Sequence, residues 1–481
     1  MSIMINVGAR RAIRRLGLVF AMLLALVPGA AAAERGPEDL PPASGASPLD
    51  ATPATTLDGN LRCLLGVYAF PDGSVVTVTG SDGHPRDLQY TLSDGRFGSM
   101  QALPSGGYST PSFTASFSRC DEGALTLTRG SVSERGARQR LVERHTSFES
   151  DGVRLRGKLV LPEGGRAHAL AVWVEGSNND PSTDDSVWQY ELARRGVAMF
   201  VYDKRGTGGS SGAQTSDFFL RARDTAAAVA EARRLEPGIR AVGVIGGSQG
   251  GWVAPLAAKL VPLDFVVAAF ALADGPIAQD QALVERQLRE AGFDDEALAQ
   301  ARELTAITER IVRSNLDDGL EALDAFKREH ADVPWMAAIQ PRSYTGVFLR
   351  FSTAELTAMG MAAAQGLSFT YDPRPVIESI APRQLWLLGG SDRQAPNAAT
   401  QRILREIQQA GTDLSVVVFP NADHGLVEPV STPDGVVIAY SPNVFDVAAT
   451  WIGANRLPLP GRFIVMPTPG SVPVGSVPAG D

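Results

Sequence analysis

The chain has 481 residues, 44% of them hydrophobic and 20% charged, with 49 Gly and 32 Pro distributed without a repeat. This composition excludes collagenous, low-complexity and wholly disordered chains, and the length asks for more than one compact unit. A formal charge of -9 argues against nucleic acid as a partner, since phosphate binding draws on a basic surface.

The N-terminus places Arg10, Arg11, Arg14 and Arg15 ahead of the apolar run LGLVFAMLLALV, which ends at Pro28-Gly29 and four alanines. That order is the signature of a secretory signal peptide over residues 1–33, with cleavage after Ala32 or Ala33. The run is shorter than the roughly 20 apolar residues of a membrane anchor. No stable membrane span is expected after cleavage, and no Cys sits at the cleavage site to carry a lipid. Cleavage removes four Arg and no acidic residue, which takes the formal charge from -9 to -13. A periplasmic destination is expected, with release to the medium as the alternative. Cys63 and Cys120 then make one candidate disulfide, since an oxidising compartment allows it. Two buried free thiols are the other reading.

Residues 34–55, rich in Pro, Ala, Ser and Gly, read as a flexible leader. Over residues 56–135 short runs such as LLGVYAF, SVVTVTG and ALTLTRG alternate with PDG, SDG and SGG turns, the pattern of a small antiparallel β domain. From residue 141 a hairpin, HTSFESDGVRLRGKLVLPE, precedes six apolar strands: ALAVWVEG, VAMFVYD, RAVGVIGG, DFVVAAFALA, RQLWLLGG and LSVVVFP. Helical stretches lie between them: VWQYELARR, opened by Asp184 and Asp185; DFFLRARDTAAAVAEARR, opened by Ser216; WVAPLAAKL; and NAATQRILREIQQ. Continuously apolar strands separated by helices predict an α/β fold, a mostly parallel sheet covered by helices on both faces, in two parts over residues 141–278 and 365–456. Residues 279–364 are helical and charged without a strand, and read as a helical cap insert. The last helix is NVFDVAATWIGANRL, and residues 457–481 form a Pro, Gly and Val tail expected to be disordered.

The motif that carries chemistry is Gly246-Gly247-Ser248-Gln249-Gly250-Gly251, between an apolar strand and a helix. There the chain must turn so sharply that Gly246 and Gly250 have no room for side chains, and Ser248 is lifted to the sheet edge as a nucleophile. The bland reading is an ordinary Gly-rich turn. A phosphate loop does not fit, because the G-K-[ST] ending is absent. A serine hydroxyl needs a base to take its proton and an acid to orient that base. His84, His145 and His168 precede Ser248 and His330 lies in the insert, which leaves His424, in the loop after LSVVVFP, as the base. Asp392, after RQLWLLGGS, is the acid. Asp423 adjoins the histidine and turns back on its ring with difficulty, Asp413 lies at the wrong strand end, and Asp372 precedes its strand. Backbone N–H groups of Gln249 and of Ser177, in the loop Glu175-Gly176-Ser177-Asn178, are the expected oxyanion donors. The loop YDKRGTGGS lacks the third glycine of a dinucleotide fingerprint, since position 211 is Ser, and reads as a structural turn near the active site braced by Arg205, with contact to an acidic substrate as the other reading of that arginine.

The motifs YDKRGTGGS, GGSQGG, YDPRP ahead of LWLLGGSD, and NADHG, in this order, resemble the α/β-hydrolase superfamily. Within it the likeness is to exported bacterial serine esterases related to the prolyl oligopeptidase and serine aminopeptidase branches. It covers the chain from about residue 141 to 456 and leaves out the N-terminal β domain. The resemblance implies the α/β-hydrolase fold, a triad of Ser248, Asp392 and His424, and neither metal nor cofactor. Glu175 stands where many relatives have His. The expected activity is cleavage of a small-molecule ester through an acyl-serine intermediate. The alternatives are a serine peptidase acting on short peptides, with an acidic anchor near Asp317, Asp318 or Glu321, and a non-catalytic binding protein on the same fold.

Overall fold

The computed structural model describes residues 57–81, 85–360, 366–433, 435–458 and 462–466. The signal peptide and flexible leader read at residues 1–33 and 34–55 lie outside the described residues.

Eight short strands form the first unit: β1 (Gly66–Ala69), β2 (Val75–Gly80), β3 (Leu88–Leu92), β4 (Phe97–Ala102), β5 (Tyr108–Ser109), β6 (Thr114–Phe117), β7 (Ala124–Arg129) and β8 (Val132–Arg138). They pair in chain order, all antiparallel, and β8 closes on β1 with Tyr68 opposite Arg138 and Ala69 opposite Ala137. Closure leaves no strand edge open to another chain. Val67, Val76, Val78, Leu88, Met100, Leu125 and Leu127 fill the interior. On β2 the alternate residues Thr77 and Thr79 are buried as well, because this strand faces the second unit, where the Thr77 hydroxyl donates to Glu191. The Cys63–Cys120 disulfide expected from the sequence is present, 57 residues apart, and pins the turn Gly59–Leu64 to the approach of β7.

The second unit is a nine-stranded sheet. Its strands are β9 (Val142–Ser150), β10 (Val153–Leu161), β11 (Ala169–Val174), β12 (Val197–Tyr202), β13 (Val242–Gly247), β14 (Phe265–Ala269), β15 (Arg383–Gly389), β16 (Leu414–Phe419) and, beyond the separate hairpin of β17 (Val427–Thr432) and β18 (Gly435–Tyr440), β19 (Ile464–Val465). The order is β19-β16-β15-β14-β13-β11-β12-β10-β9. The six central strands are the six apolar runs, all mutually parallel; β10 and β19 flank them antiparallel, and β9 pairs antiparallel with β10 at the sheet's edge. Every residue of β11, β12 and β13 is buried, because helices Phe218–Leu235 and Gly250–Leu260 cover one face and Trp188–Ala193 and Val444–Ala454 the other. This two-sided burial is why these strands read as unbroken apolar runs.

Between β14 and β15 lies the helical cap, which begins at Pro276, three residues ahead of the expected 279. Its helices Pro276–Glu290, Asp295–Arg313 and Leu320–Glu329 enclose a core of their own with Leu288, Leu304, Val347 and Phe348. Asp280 is buried there, its carboxylate accepting from the N–H and hydroxyl of Thr345.

Three expectations are corrected. The helix Phe218–Leu235 is opened by Asp217, whose carboxylate accepts from the N–H groups of Phe219 and Leu220, not by Ser216. Asp184 and Asp185 do not open the helix Trp188–Ala193; they form a separate turn, Ser182–Asp185, drawn away by the pairing of Asp184 with Arg62 and Arg156. The C-terminal tail is ordered over residues 462–466, where Ile464 and Val465 pair with Val418 and Val417 while Phe463 and Met466 are buried. The β17/β18 hairpin is an addition that the sequence did not announce. It docks on the barrel, with the Tyr440 N–H donating to the Gly95 carbonyl at 3.0 Å and the Tyr440 ring 5.0 Å from that of Phe97. Among the described residues no helix is long and apolar enough to cross a membrane, and no cluster of His, Cys, Asp or Glu is arranged for a metal ion.

Candidate active site

Ser248 follows β13 directly and takes a left-handed backbone conformation, φ 52°. A non-glycine residue rarely adopts this, and here the surroundings impose it. A Cβ on Gly246 would lie 2.1 Å from the Gly250 carbonyl oxygen, and one on Gly250 would lie 2.1 Å from the Val174 oxygen. Both glycines are therefore obligatory, and together they press strand, serine and helix into one sharp corner. The Ser248 carbonyl accepts from the Gly251 N–H at 2.8 Å. Since a peptide unit is planar and trans, the Gln249 N–H on the other side of that unit points the opposite way. It donates to no group among the described residues.

His424 stands in the loop after β16. Its Nε2 is 3.0 Å from the Ser248 Oγ, and its Nδ1 is 3.0 and 3.3 Å from the two carboxylate oxygens of Asp392. Asp392 is buried and held in place by the N–H groups of Gln394 and Ala395. Burial disfavours the imidazolium, but the adjoining Asp392 carboxylate outweighs it and holds His424 above the ordinary histidine value. Asp423 serves the loop itself: its carboxylate accepts from the N–H of His424 and of Arg393, 2.7 Å each. The Phe270 and imidazole rings make a T-shaped contact, with centroids 5.2 Å apart. The three residues singled out in the sequence, 144 and 32 positions apart along the chain, thus form one connected line.

The loop after β11 crosses over the serine. A Cβ on Gly176 would come 3.4 Å from the Ser248 Cβ and 3.9 Å from its Oγ. Ser177 is buried, and its N–H, like that of Gln249, donates to no group among the described residues. Glu175 is turned away into bonds with the Trp173 indole, the Ser182 hydroxyl and the Gly176 N–H. Two cations that the sequence did not single out reach this loop. Lys204 donates to the carbonyls of Gly176, at 2.9 Å, and Asn178, and Arg221 donates to the carbonyl of Glu175 and the side-chain oxygen of Gln249. Helical spacing held a signal for Arg221, which falls among the buried Phe218, Ala222 and Thr225.

Arg205 braces its turn, as expected, in a two-pronged pair with Asp224 at 2.7 and 2.5 Å. Asp317, Asp318 and Glu321 are exposed on the cap, the situation of a solvated surface.

Residues 176–439 match the family described as the alpha/beta hydrolase family. No curated protein matches the chain. Among solved structures, an esterase from Pyrococcus furiosus is 14% identical, covers 59% of this chain and 84% of its own, and has a TM-score of 0.37. An acylaminoacyl peptidase from Pyrococcus horikoshii is 14% identical over 76% of this chain and 53% of its own, with a TM-score of 0.38. A protein from Butyrivibrio proteoclasticus with bound ferulic acid is 15% identical over 64% of this chain and 96% of its own, with a TM-score of 0.36.

Proposed function

Since the chain belongs to the α/β-hydrolase family, we propose that it is an exported serine hydrolase that cleaves carboxylic esters through an acyl-serine intermediate. The observation that carries this reading is the continuous line from Asp392 through His424 to Ser248, with links of 3.0 Å each, ending on a serine held at a left-handed corner.

In this mechanism the Ser248 Oγ attacks the ester carbonyl while the His424 Nε2 takes its proton. Asp392 holds the Nδ1–H tautomer and stabilises the imidazolium that forms. The developing oxyanion sits against the N–H groups of Gln249 and Ser177, at the N-terminus of the helix behind the serine. Collapse of the tetrahedral adduct expels the alcohol, which receives the proton from His424. Water, activated by the same imidazole, then releases the acid and restores the serine. A periplasmic or extracellular setting accords with the Cys63–Cys120 bond, since disulfides persist in oxidising compartments.

The test is fluorophosphonate labelling of the purified protein beside Ser248→Ala, with short- and medium-chain esters assayed on the same samples. Labelling and ester turnover are expected in the wild type and neither in the variant. Labelling without ester turnover moves the assignment to a peptidase. A folded wild type that takes no label favours a binding protein.

A further inference from the structure

We propose that Lys204 and Arg221 are positioning residues that set the direction of the oxyanion-binding N–H of Ser177, an inference that rests on the serine-hydrolase reading above. Among the described residues, no backbone-to-backbone hydrogen bond restrains residues 176–180. The loop's orientation over Ser248 is therefore set by side chains. The Gly176 carbonyl and the Ser177 N–H belong to one planar, trans peptide unit and point in opposite directions. Lys204 holds that carbonyl at 2.9 Å and the Asn178 carbonyl two residues on. Fixing the oxygen side fixes the N–H side. Without the ammonium, the unit between Gly176 and Ser177 has no hydrogen bond on its oxygen and is free to rotate, carrying its donor off the site.

Arg221 acts one residue earlier in the loop. Its guanidinium holds the Glu175 carbonyl and the Gln249 side chain, and so ties the loop over the serine to the helix N-terminus behind it. Both segments that supply an oxyanion donor meet at this one group.

The energetic setting singles out these two residues. Lys204 and Arg221 are only 9% and 3% exposed, yet neither forms an ion pair with a carboxylate among the described residues. A buried cation with no carboxylate in contact is costly, whereas Arg205 in the same turn is paired directly with Asp224. Carbonyl dipoles are the partners that Lys204 and Arg221 have instead. Burial, and then the neighbouring Arg221, push Lys204 down to about 7, against the pull of Glu175 and Asp180. A neutral amine still has two N–H donors for its two carbonyls. Its positioning role therefore survives loss of the proton.

The experiment measures kcat and KM on a chromogenic ester, affinity for an alkyl boronic acid that forms a tetrahedral serine adduct, and Tm, for the full chain and for Lys204→Met and Arg221→Met. Loss of one oxyanion donor lowers kcat by roughly 10²- to 10³-fold. For Lys204→Met the expected result is a fall in kcat at the lower end of that range at every pH from 6 to 9. KM stays within about twofold, and boronate affinity falls by the same factor as kcat. Arg221→Met changes in the same sense. A folded Lys204→Met with wild-type kcat overturns the proposal, as does a fall in kcat with unchanged boronate affinity. If Lys204→Met does not fold, Lys204→Ala, which likewise has no donor, and Arg221→Met are read by the same criteria. A wild type that is itself unlabelled at Ser248 overturns the hydrolase reading first, an outcome distinct from both.

Discussion

The barrel and the carboxyl edge of the sheet handle polarity in opposite ways. Among the described barrel residues, from Gly66 to Arg138, no charged side chain is buried; the interior is filled by Val, Leu, Met and aromatic groups, and its buried polar residues are Thr and Ser. At the sheet edge Asp184, Asp203, Lys204, Arg205, Arg221, Asp224 and Asp392 are all buried. Each of these charges costs stability unless satisfied, and Lys204, Arg221 and Asp392 bear directly on the segments that meet at Ser248. The difference teaches where to look for function in a chain of this kind. A region built for stability alone minimises buried charge, and a region built for chemistry concentrates it.

The comparison breaks most sharply at Asp392. In the proposed mechanism Asp392→Asn leaves the backbone in place but offers His424 the wrong tautomer, and kcat falls by about 10⁴-fold with little change in Tm. The pH profile sharpens the point. His424 must be neutral to act as a base, and it is held above its ordinary value of 6.5, so the acid limb of kcat/KM has its midpoint above that pH. Removal of the Asp392 charge moves the midpoint down.

On the barrel side the largest effect is on stability and leaves chemistry untouched. Opening the Cys63–Cys120 link, which closes a loop of 57 residues, lowers stability by about 4 kcal/mol in the chain-entropy model. Denaturation with and without reductant measures this, and native kcat is expected to remain. A loss of activity before unfolding would show that the two regions are not separable in this way.

A smaller effect tests the cap, where charge is buried away from Ser248. Burial pushes Asp280 up to about 7. A carboxyl whose folded value lies above its unfolded one contributes stability below about pH 4, and that contribution is lost as pH rises through 7. Wild-type Tm is expected to fall from pH 5 to pH 8 by about 2–4 °C more than that of Asp280→Asn. An equal slope in both proteins would remove Asp280 from the cap's pH response.

What could be read from the sequence follows the same division. The six parallel strands were legible because burial on both faces makes each an unbroken apolar run. Ser248 was legible because a sharp corner demands glycines at fixed offsets, and His424 because it follows a strand in the right order. Strands β3 to β6 are short, and segments such as TASF and YS carry too few side chains to show an alternation. In β17 the sequence VEPVST contains Pro429 and no apolar run, and its pairing is set by contact with β18 and the barrel. Lys204 and Arg221 escaped because a charge in a sequence reads as surface, and only the fold shows a cation turned inward onto carbonyls. The helix opens at Asp217, one position beyond the Ser216 expected from the sequence, since either residue type caps a helix.

The β17/β18 hairpin gives the barrel a place in the architecture of the second half. The hairpin starts three residues after His424, the Ser441 N–H donates to the Leu426 carbonyl, and Tyr440 rests on Gly95 and Phe97. The barrel is thus a buttress for the returning histidine loop, although it precedes the sheet in the chain. A fragment cut at residue 141, where the sequence changes character, would carry the complete line of Asp392, His424 and Ser248 and leave the hairpin's supporting face in water. The smallest portable unit that keeps this support is the barrel and the sheet together, and the natural seam of the sequence is not a seam of the molecule.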